Sequence, residues 1–137
     1  MRAIKCKLLL FSVLMLGVMP FSSSSADELG KQYYDADCAR CHGTNGKGAV
    51  PGMRAVRGYI AVDLTQLSKA HGGHFPRLEV HEAIDGRKRF PAHFAGDMPV
   101  WGLKYGQDNH EPAQERDEQV RRKISALVDY IESIQEK

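Results

Sequence analysis

The 137-residue sequence has few of the residues from which several common sites are built. It contains three cysteines, Cys6, Cys38 and Cys41, and a single tryptophan. A structural zinc site needs four ligands, usually with a second Cys pair or a His pair, and no such spacing accompanies Cys38 and Cys41. A thioredoxin-like redox pair would follow a strand in a βαβ context, and no convincing alternating strand is visible. The Gly-x-Ser-x-Gly motif of serine hydrolases is also missing. The sequence therefore offers no support for these three classes.

Long hydrophobic runs are also scarce, because the only marked one, residues 8–19, has twelve residues. A helix of that length is too short to span a bilayer. Basic residues precede the run and the small residues of 24–26 follow it, which is typical of a cleavable secretory signal peptide. We therefore predict a signal peptide over residues 1–26, with an uncleaved anchor as the open alternative. Cys6 lies within it and has no role in the mature chain.

Charge of one sign is lacking as well. The chain has 19 basic and 17 acidic residues, and residues 1–26 hold three basic and no acidic ones, so that 16 basic and 17 acidic residues remain after cleavage. A net charge near −1 gives no reason to expect nucleic acid or an anionic membrane surface as a partner. Residues 27–137 suit one domain, with no membrane span in the mature chain.

The two remaining cysteines belong to the motif Cys38-Ala39-Arg40-Cys41-His42. Cys-x-x-Cys-His is the spacing at which c-type haem is attached. On a helical turn, two intervening residues bring both thiols to one edge of a flat ring, where each can form a thioether with a haem vinyl group. The adjacent His42 can then ligate the iron. The motif predicts one covalently attached haem c, with His42 as an axial ligand.

The rest of the mature chain reads as helices joined by loops. Asp27 is expected to cap a first helix beginning at Glu28 and running into Cys38. Gly30 inside that helix costs about 1 kcal/mol relative to Ala, which favours close approach of another helix. The last helix, placed at about 115–135, carries apolar residues at helical spacing. We expect this stripe to pack on the first helix, with Tyr130 at its margin reaching Gly30. The residues of the stripe are Val120, Ile124, Leu127, Val128, Ile131 and Ile134.

Two shorter helices are expected between them. One covers 64–71, with Asp63 and Gln66 as a pattern similar to a capping box and a Gly-Gly stop. The other covers 77–85, starts after a proline and ends at Gly86. Leu78, His81 and Ile84 are expected on one face of it. Residues 103–119 look like a polar insertion.

The glycine-rich stretch 43–58 predicts an irregular loop whose backbone can lie close to a flat ligand. A ligating histidine needs an acceptor for its second ring nitrogen, and the carbonyl of Pro51 is the candidate. Tyr59, Arg54 and Arg57 can each bind a haem propionate, although surface positions suit the two arginines equally well.

Only two methionines lie outside the signal peptide, Met53 and Met98. Pro99 restricts Met98 to extended backbone, and Trp101 can pack nearby and keep water from the site. Taken alone, Met98 would be read as a methionine of the core. Beside an attached haem that lacks a sixth ligand, the role of second axial ligand is favoured for it instead. Met53 stays the alternative thioether.

These motifs together resemble the bacterial class I c-type cytochromes with one haem. The resemblance covers nearly the whole mature chain and rests on motifs at both ends. They are Gly30 and Tyr34, the Cys38–His42 motif with Gly43, Gly46 and Gly48, the Pro51 loop, Asp63-Leu64-Thr65, Met98-Pro99, and Leu127 with Tyr130-Ile131. One departure is Met53, where the family usually has Leu.

The resemblance implies an all-α cytochrome c fold in which the first and last helices cross near a right angle and the helices and loops surround one haem. It also implies His/Met ligation of the iron and a periplasmic role. The expected function is transfer of single electrons between redox proteins that dock transiently at the haem edge, not enzymatic catalysis. The alternative is a haem subunit of a larger periplasmic dehydrogenase. An open iron site that binds peroxide or a gas would require that neither methionine ligates.

Overall fold

The computed structural model describes residues 24–48, 61–87, 98–107 and 110–137, and these residues form helices and loops with no strand among them. The expected all-α fold is confirmed. Its first and last helices are the longest. The α-helices are α1 (Ser24–Asp37), α2 (Ala39–His42), α3 (Leu67–Ala70), α4 (Arg77–Asp85), α5 (Trp101–Gln107) and α6 (Ala113–Ser133), and a 3-10 turn (Leu64–Gln66) precedes α3.

Helix α1 begins earlier than the sequence indicates. It starts at Ser24, so Asp27 lies in its first turn rather than at its cap. An acidic side chain in this turn still interacts favourably with the positive end of the helix dipole. Residues 1–23 lie outside the described part of the chain, and the signal peptide with its cleavage after Ala26 stays a prediction.

The crossing of α1 and α6 organises the core. The two helices make their closest approach at Gly30, where a Cβ atom would lie 2.2 Å from the carbonyl oxygen of Ala126 and 2.9 Å from the Cβ of Tyr130. One turn further along α1, the rings of Tyr34 and Tyr130 are 5.0 Å apart. The predicted pairing of the first and last helices, with Tyr130 against Gly30, is confirmed.

The apolar stripe of α6 is buried as predicted, except that its last member, Ile134, is only partly buried. Full burial of an aliphatic side chain of this size contributes about 1.5–3 kcal/mol to folding. Arg77 at the start of α4 pairs with Asp129 and Glu132 on α6. Helix α4 therefore also lies against the helix that packs on α1, and these exposed ion pairs accompany that contact.

The short helices end where the glycines predict. At the start of the 3-10 turn, Asp63 accepts a hydrogen bond from the backbone N–H of Thr65 at 2.9 Å. After α3, Gly73 N–H bonds the Ser68 carbonyl at 2.8 Å, as at many helix ends that are followed by glycine. Helix α4 ends at a left-handed Gly86. The expected apolar face of α4 is wrong in one member, because Leu78 is 71 % exposed while Val80 and Ile84 are buried.

Helix α5 was not expected. It begins at Trp101 and covers the start of the segment that looked like a polar insertion, and α6 begins within the same segment. Trp101 and Tyr105, one turn apart, stack with ring centroids 5.1 Å apart. Two glycines in seven residues give this segment low helix propensity, so packing of the aromatic pair stabilises a helix that local preference does not predict.

Among the described residues, no helix is both long enough and apolar enough to cross a membrane.

Candidate functional site

The two cysteines and the histidine of the motif lie on one helical turn that continues from α1. Cys38 N–H bonds the Tyr34 carbonyl at 2.8 Å, and the N–H groups of Cys41 and His42 bond the Cys38 carbonyl at 3.0 and 2.9 Å. Gly43, with a positive φ of 74°, ends the turn. The structure therefore brings Cys38, Cys41 and His42 together through local hydrogen bonds alone.

Both cysteines are free thiols. Cys38 is buried, and this burial, reinforced by the nearby Asp37 carboxylate, raises the pKa of its thiol to about 12. The Cys38 thiol is therefore neutral at pH 7. Metal ligation and disulfide exchange use the thiolate, so this environment does not favour either role for Cys38.

The imidazole of His42 is oriented by backbone from another part of the chain. Its Nδ1 lies 3.1 Å from the carbonyl oxygen of Val62. A carbonyl can only accept, so Nδ1 carries the proton in this hydrogen bond, and in a neutral imidazole the lone pair is then on Nε2. This is the arrangement that a metal-ligating histidine requires.

Two close backbone contacts hold the Val62 segment beside His42. Gly48 N–H bonds the His42 carbonyl at 2.8 Å, and Leu64 N–H bonds the Gly46 carbonyl at 2.7 Å. Gly48 has a positive φ of 75°, and a Cβ there would lie 2.1 Å from the Ala61 carbonyl oxygen. Only glycine permits this approach, which places the Val62 carbonyl within reach of the imidazole.

Sequence reasoning did not find Val62. It proposed the Pro51 carbonyl, and Pro51 lies outside the described residues, as do Tyr59 and the alternative ligand Met53. The glycines at 46 and 48 indicate that backbone approaches closely there, but they do not identify the partner segment. An acceptor twenty residues away in sequence carries no side-chain signal, because any residue supplies the same carbonyl.

Tyr34 stabilises the turn that carries Cys38, Cys41 and His42. It is fully buried, and its hydroxyl donates to the Gly43 carbonyl at 2.7 Å. Burial raises the pKa of Tyr34 well above its ordinary value, so the phenol remains a donor across the physiological range. Tyr34 therefore connects the α1–α6 crossing to the residue that follows His42.

The segment at 98–101 belongs to the same apolar cluster as Cys38. Trp101 is buried in that cluster, and Met98 is half-buried and packs against it. The ammonium group of Lys104 lies 4.4 Å from the centre of the Trp101 ring. The structure thus brings the predicted pocket residues Met98 and Trp101 to the core that contains the first cysteine.

These features fit a covalently attached haem. Two thiols and an oriented imidazole on one turn are the groups that attach a c-type haem and ligate its iron, and the half-buried thioether that packs on the same apolar cluster is chemically suited to be a neutral second ligand. Among the described residues, no three His, Cys, Asp or Glu side chains are grouped as ligands of a metal ion.

Comparison with known proteins gives one match. The family model described as Cytochrome c matches residues 28–135. No curated protein and no solved structure matches the chain.

Proposed function

The chain belongs to the cytochrome c family, which binds covalently attached haem c and transfers electrons through its iron, and from that premise we propose that it is a periplasmic carrier of single electrons. The observation that carries this proposal is the turn on which Cys38, Cys41 and His42 lie together, with His42 Nδ1 donating to the Val62 carbonyl. A turn of this kind fixes both the position of a flat ring and the direction of its iron ligand.

Within this proposal, Cys38 and Cys41 would hold the haem through thioethers, and His42 and Met98 would ligate its iron. The bound haem supplies a one-electron ferrous/ferric couple. The Val62 carbonyl holds the proton of His42 on Nδ1 and thereby places the lone pair of the neutral imidazole on Nε2, the atom that would ligate the iron. A neutral thioether from Met98 favours the ferrous state and raises the potential.

Trp101 is buried in the cluster on which Met98 packs, and its bulk would keep water from this side of the site, which also favours the ferrous state. Pro51 and Tyr59 remain proposed pocket residues on the strength of the sequence. An iron ligated by both His42 and Met98 would leave no position for a substrate, so these two ligands fit a carrier without an enzymatic reaction of its own.

The location and partners are part of the same proposal. The basic start, short apolar run and small residues of 1–26 support export to the periplasm. A near-neutral mature chain supports weak, transient docking of a donor and an acceptor protein, as small redox interfaces usually allow. The described residues of 103–119 include most of α5 and the start of α6. These residues serve the chain's own fold, so the one sequence feature that pointed to a dehydrogenase subunit loses its weight, and we favour the free carrier.

The test is expression of the full chain in a host that ligates haem, followed by mass spectrometry of the exported protein. We expect the mass of residues 27–137 plus one haem, and low-spin visible spectra in both oxidation states. Replacing Cys38 and Cys41 together with Ala should abolish attachment, whereas Cys6→Ala should leave it unchanged. A mature polypeptide without added mass would overturn the proposal, and elution of the native protein in a stable larger complex would favour the subunit instead.

A further inference from the structure

A hydrogen bond joins the middle of α5 to the residue that precedes the cysteine turn. The hydroxyl of Tyr105 donates to Oδ2 of Asp37 at 2.9 Å. Asp37 is the last residue of α1, and Cys38 follows it directly. Burial and the bond to Asp37 raise the pKa of Tyr105, so the phenol stays protonated and remains the donor. Neither the Cys38–His42 motif nor the Met98-Pro99 motif includes Asp37 or Tyr105.

A lysine from α6 closes the same cluster. The Nζ atom of Lys123 lies 3.4 Å from Oδ2 of Asp37, 3.8 Å from the centre of the Tyr105 ring and 4.6 Å from that of Tyr33. An ammonium group against aromatic faces is stabilised electrostatically. The Asp37 and Lys123 side chains are only 20 % and 29 % exposed, so their interaction is screened less than that of a surface pair.

The other end of α5 is also fixed. A Cβ on Gly102 would lie 2.4 Å from Oδ1 of Asp85, and Arg87 donates to that carboxylate through Nε at 2.7 Å and Nη2 at 2.8 Å. The first turn of α5 therefore rests on the end of α4. Tyr105, one turn after Trp101, supplies the hydrogen bond that ties α5 to the residue before the cysteine turn.

Helix α5 is continuous with the segment that carries Met98. The N–H groups of Leu103 and Lys104 both bond the Val100 carbonyl, at 3.1 and 3.0 Å. Val100 is two residues after Met98, with Pro99 between them, and proline restricts the backbone on both sides. A displacement of α5 is therefore transmitted to Met98 with little backbone freedom to absorb it.

We propose that Asp37 and Tyr105 are positioning residues that tie the cysteine turn to the Met98 segment and thereby hold the Met98 thioether at the iron. This inference rests on the proposed function, which makes Met98 the second axial ligand. The hydrogen bond links the two sides of the site through protein alone, because Asp37 adjoins one attachment point of the haem and Tyr105 belongs to the helix that follows the ligand. The Nζ atom of Lys123 lies 3.4 Å from the same carboxylate oxygen, and a hydrogen bond to a carboxylate is stronger than one between neutral groups.

The test compares three variants of the haem-loaded full chain with the parent: Tyr105→Phe, Tyr33→Phe and Met98→Ala. Tyr33→Phe is the matched control, since it removes a hydroxyl from the other ring beside Lys123. The first measurement is the dissociation constant of imidazole, which binds ferric iron after displacing a protein ligand. Reduction potential and hydrogen exchange of residues 98–107 are the further readouts.

We expect Tyr105→Phe to bind imidazole about tenfold more tightly than the parent, which corresponds to about 1.4 kcal/mol. Its potential should fall, and exchange in 98–107 should be faster while exchange in α1 is unchanged. Tyr33→Phe should match the parent in all three. Asp37→Asn, which keeps an acceptor oxygen but loses the charge, should show a smaller effect in the same direction, and it serves as the second variant where Tyr105→Phe does not fold.

Two results overturn the inference in distinguishable ways. Imidazole affinity equal in Tyr105→Phe and Tyr33→Phe, with an increase in Met98→Ala, refutes the positioning role and leaves the ligand assignment intact. No increase in Met98→Ala itself refutes Met98 as the ligand, and the proposed ligation then fails together with the inference.

Discussion

Gly30 of α1 and Tyr130 of α6 are so close that residue 30 has no room for a side chain. A Cβ atom on Gly30 would lie 2.9 Å from the Cβ of Tyr130 and 2.2 Å from the Ala126 carbonyl oxygen. The nearest obstacle is helix backbone, which cannot rotate away as the end of a flexible side chain can. The cost of about 1 kcal/mol for glycine in a helix is therefore offset by the close packing of the two longest helices.

We expect Gly30→Ala to destabilise the protein by about 1–2 kcal/mol. Overpacking against backbone costs typically about 1–3 kcal/mol or more, which outweighs the gain of about 1 kcal/mol in helix propensity. Denaturant unfolding of the haem-loaded protein measures the difference. Gly106→Ala is the matched control, because a Cβ there has no neighbour nearer than 3.7 Å, and it should be neutral or slightly stabilising. Equal stability of the two variants would contradict this account of the crossing.

Loss of the Tyr34 hydroxyl should weaken the support of the cysteine turn. Tyr34→Phe keeps the ring against Tyr130 but leaves the Gly43 carbonyl without the bond that it accepts at 2.7 Å. Removing one partner of a buried hydrogen bond costs about 1–2 kcal/mol. Urea unfolding at pH 7 should show this loss, and Tyr34→Leu should be less stable still because it also removes the aromatic packing. A Phe variant as stable as the parent would show that the hydroxyl does not support the turn.

The sequence predicts the parts of the fold that depend on local signals. Helix α4 is bounded as expected because Pro76 precedes it and a left-handed Gly86 ends it. The stripe of α6 is recognisable because its apolar residues repeat at helical spacing. The error at Leu78 has a physical origin: a helix of nine residues with few apolar side chains allows more than one face to be chosen, and packing on α6 selects Val80 and Ile84.

In the site too, local contacts can be predicted from the sequence and contacts between distant segments cannot. The turn of Cys38, Cys41 and His42 is local, and its spacing alone indicates its geometry. The Val62 carbonyl and the Asp37–Tyr105 bond join segments that are 20 and 68 positions apart. The first uses backbone, which has no residue preference, and the second uses common polar residues. Neither contact produces a pattern in a single sequence.

The ion pair at the end of α4 should make stability depend on pH. Arg87 donates to Asp85 and holds the pKa of this carboxyl below its usual range. A lowered folded pKa stabilises the protein above the unfolded value of about 3.9, and this contribution is lost as the pH falls through the folded pKa. Asp85→Asn should therefore cost about 1–2 kcal/mol at pH 7, and the difference from the parent should shrink below about pH 4.

Unfolding at several pH values measures this convergence. Glu118→Gln is the control, because Glu118 pairs with Arg121 and Arg122 on the exposed face of α6. Exposed pairs contribute little, so this variant should match the parent at every pH. A difference between Asp85→Asn and the parent that stays constant down to pH 3 would show that the carboxylate charge is not the source of the stabilisation.

The two methionines of residues 27–137 allow a direct test of the second iron ligand. Met98→Ala should lower the reduction potential, because loss of a neutral thioether removes a preference for the ferrous state. A fall of about 59 mV corresponds to a tenfold loss of that preference in a one-electron couple, and we expect at least this much, together with binding of exogenous imidazole. Met53→Ala makes the same chemical change at the alternative position and should leave the potential and the visible spectrum unchanged. If the effects were exchanged between the two variants, the iron would be ligated by Met53, and the half-buried Met98 would be a packing residue of the cluster that contains Cys38 and Trp101.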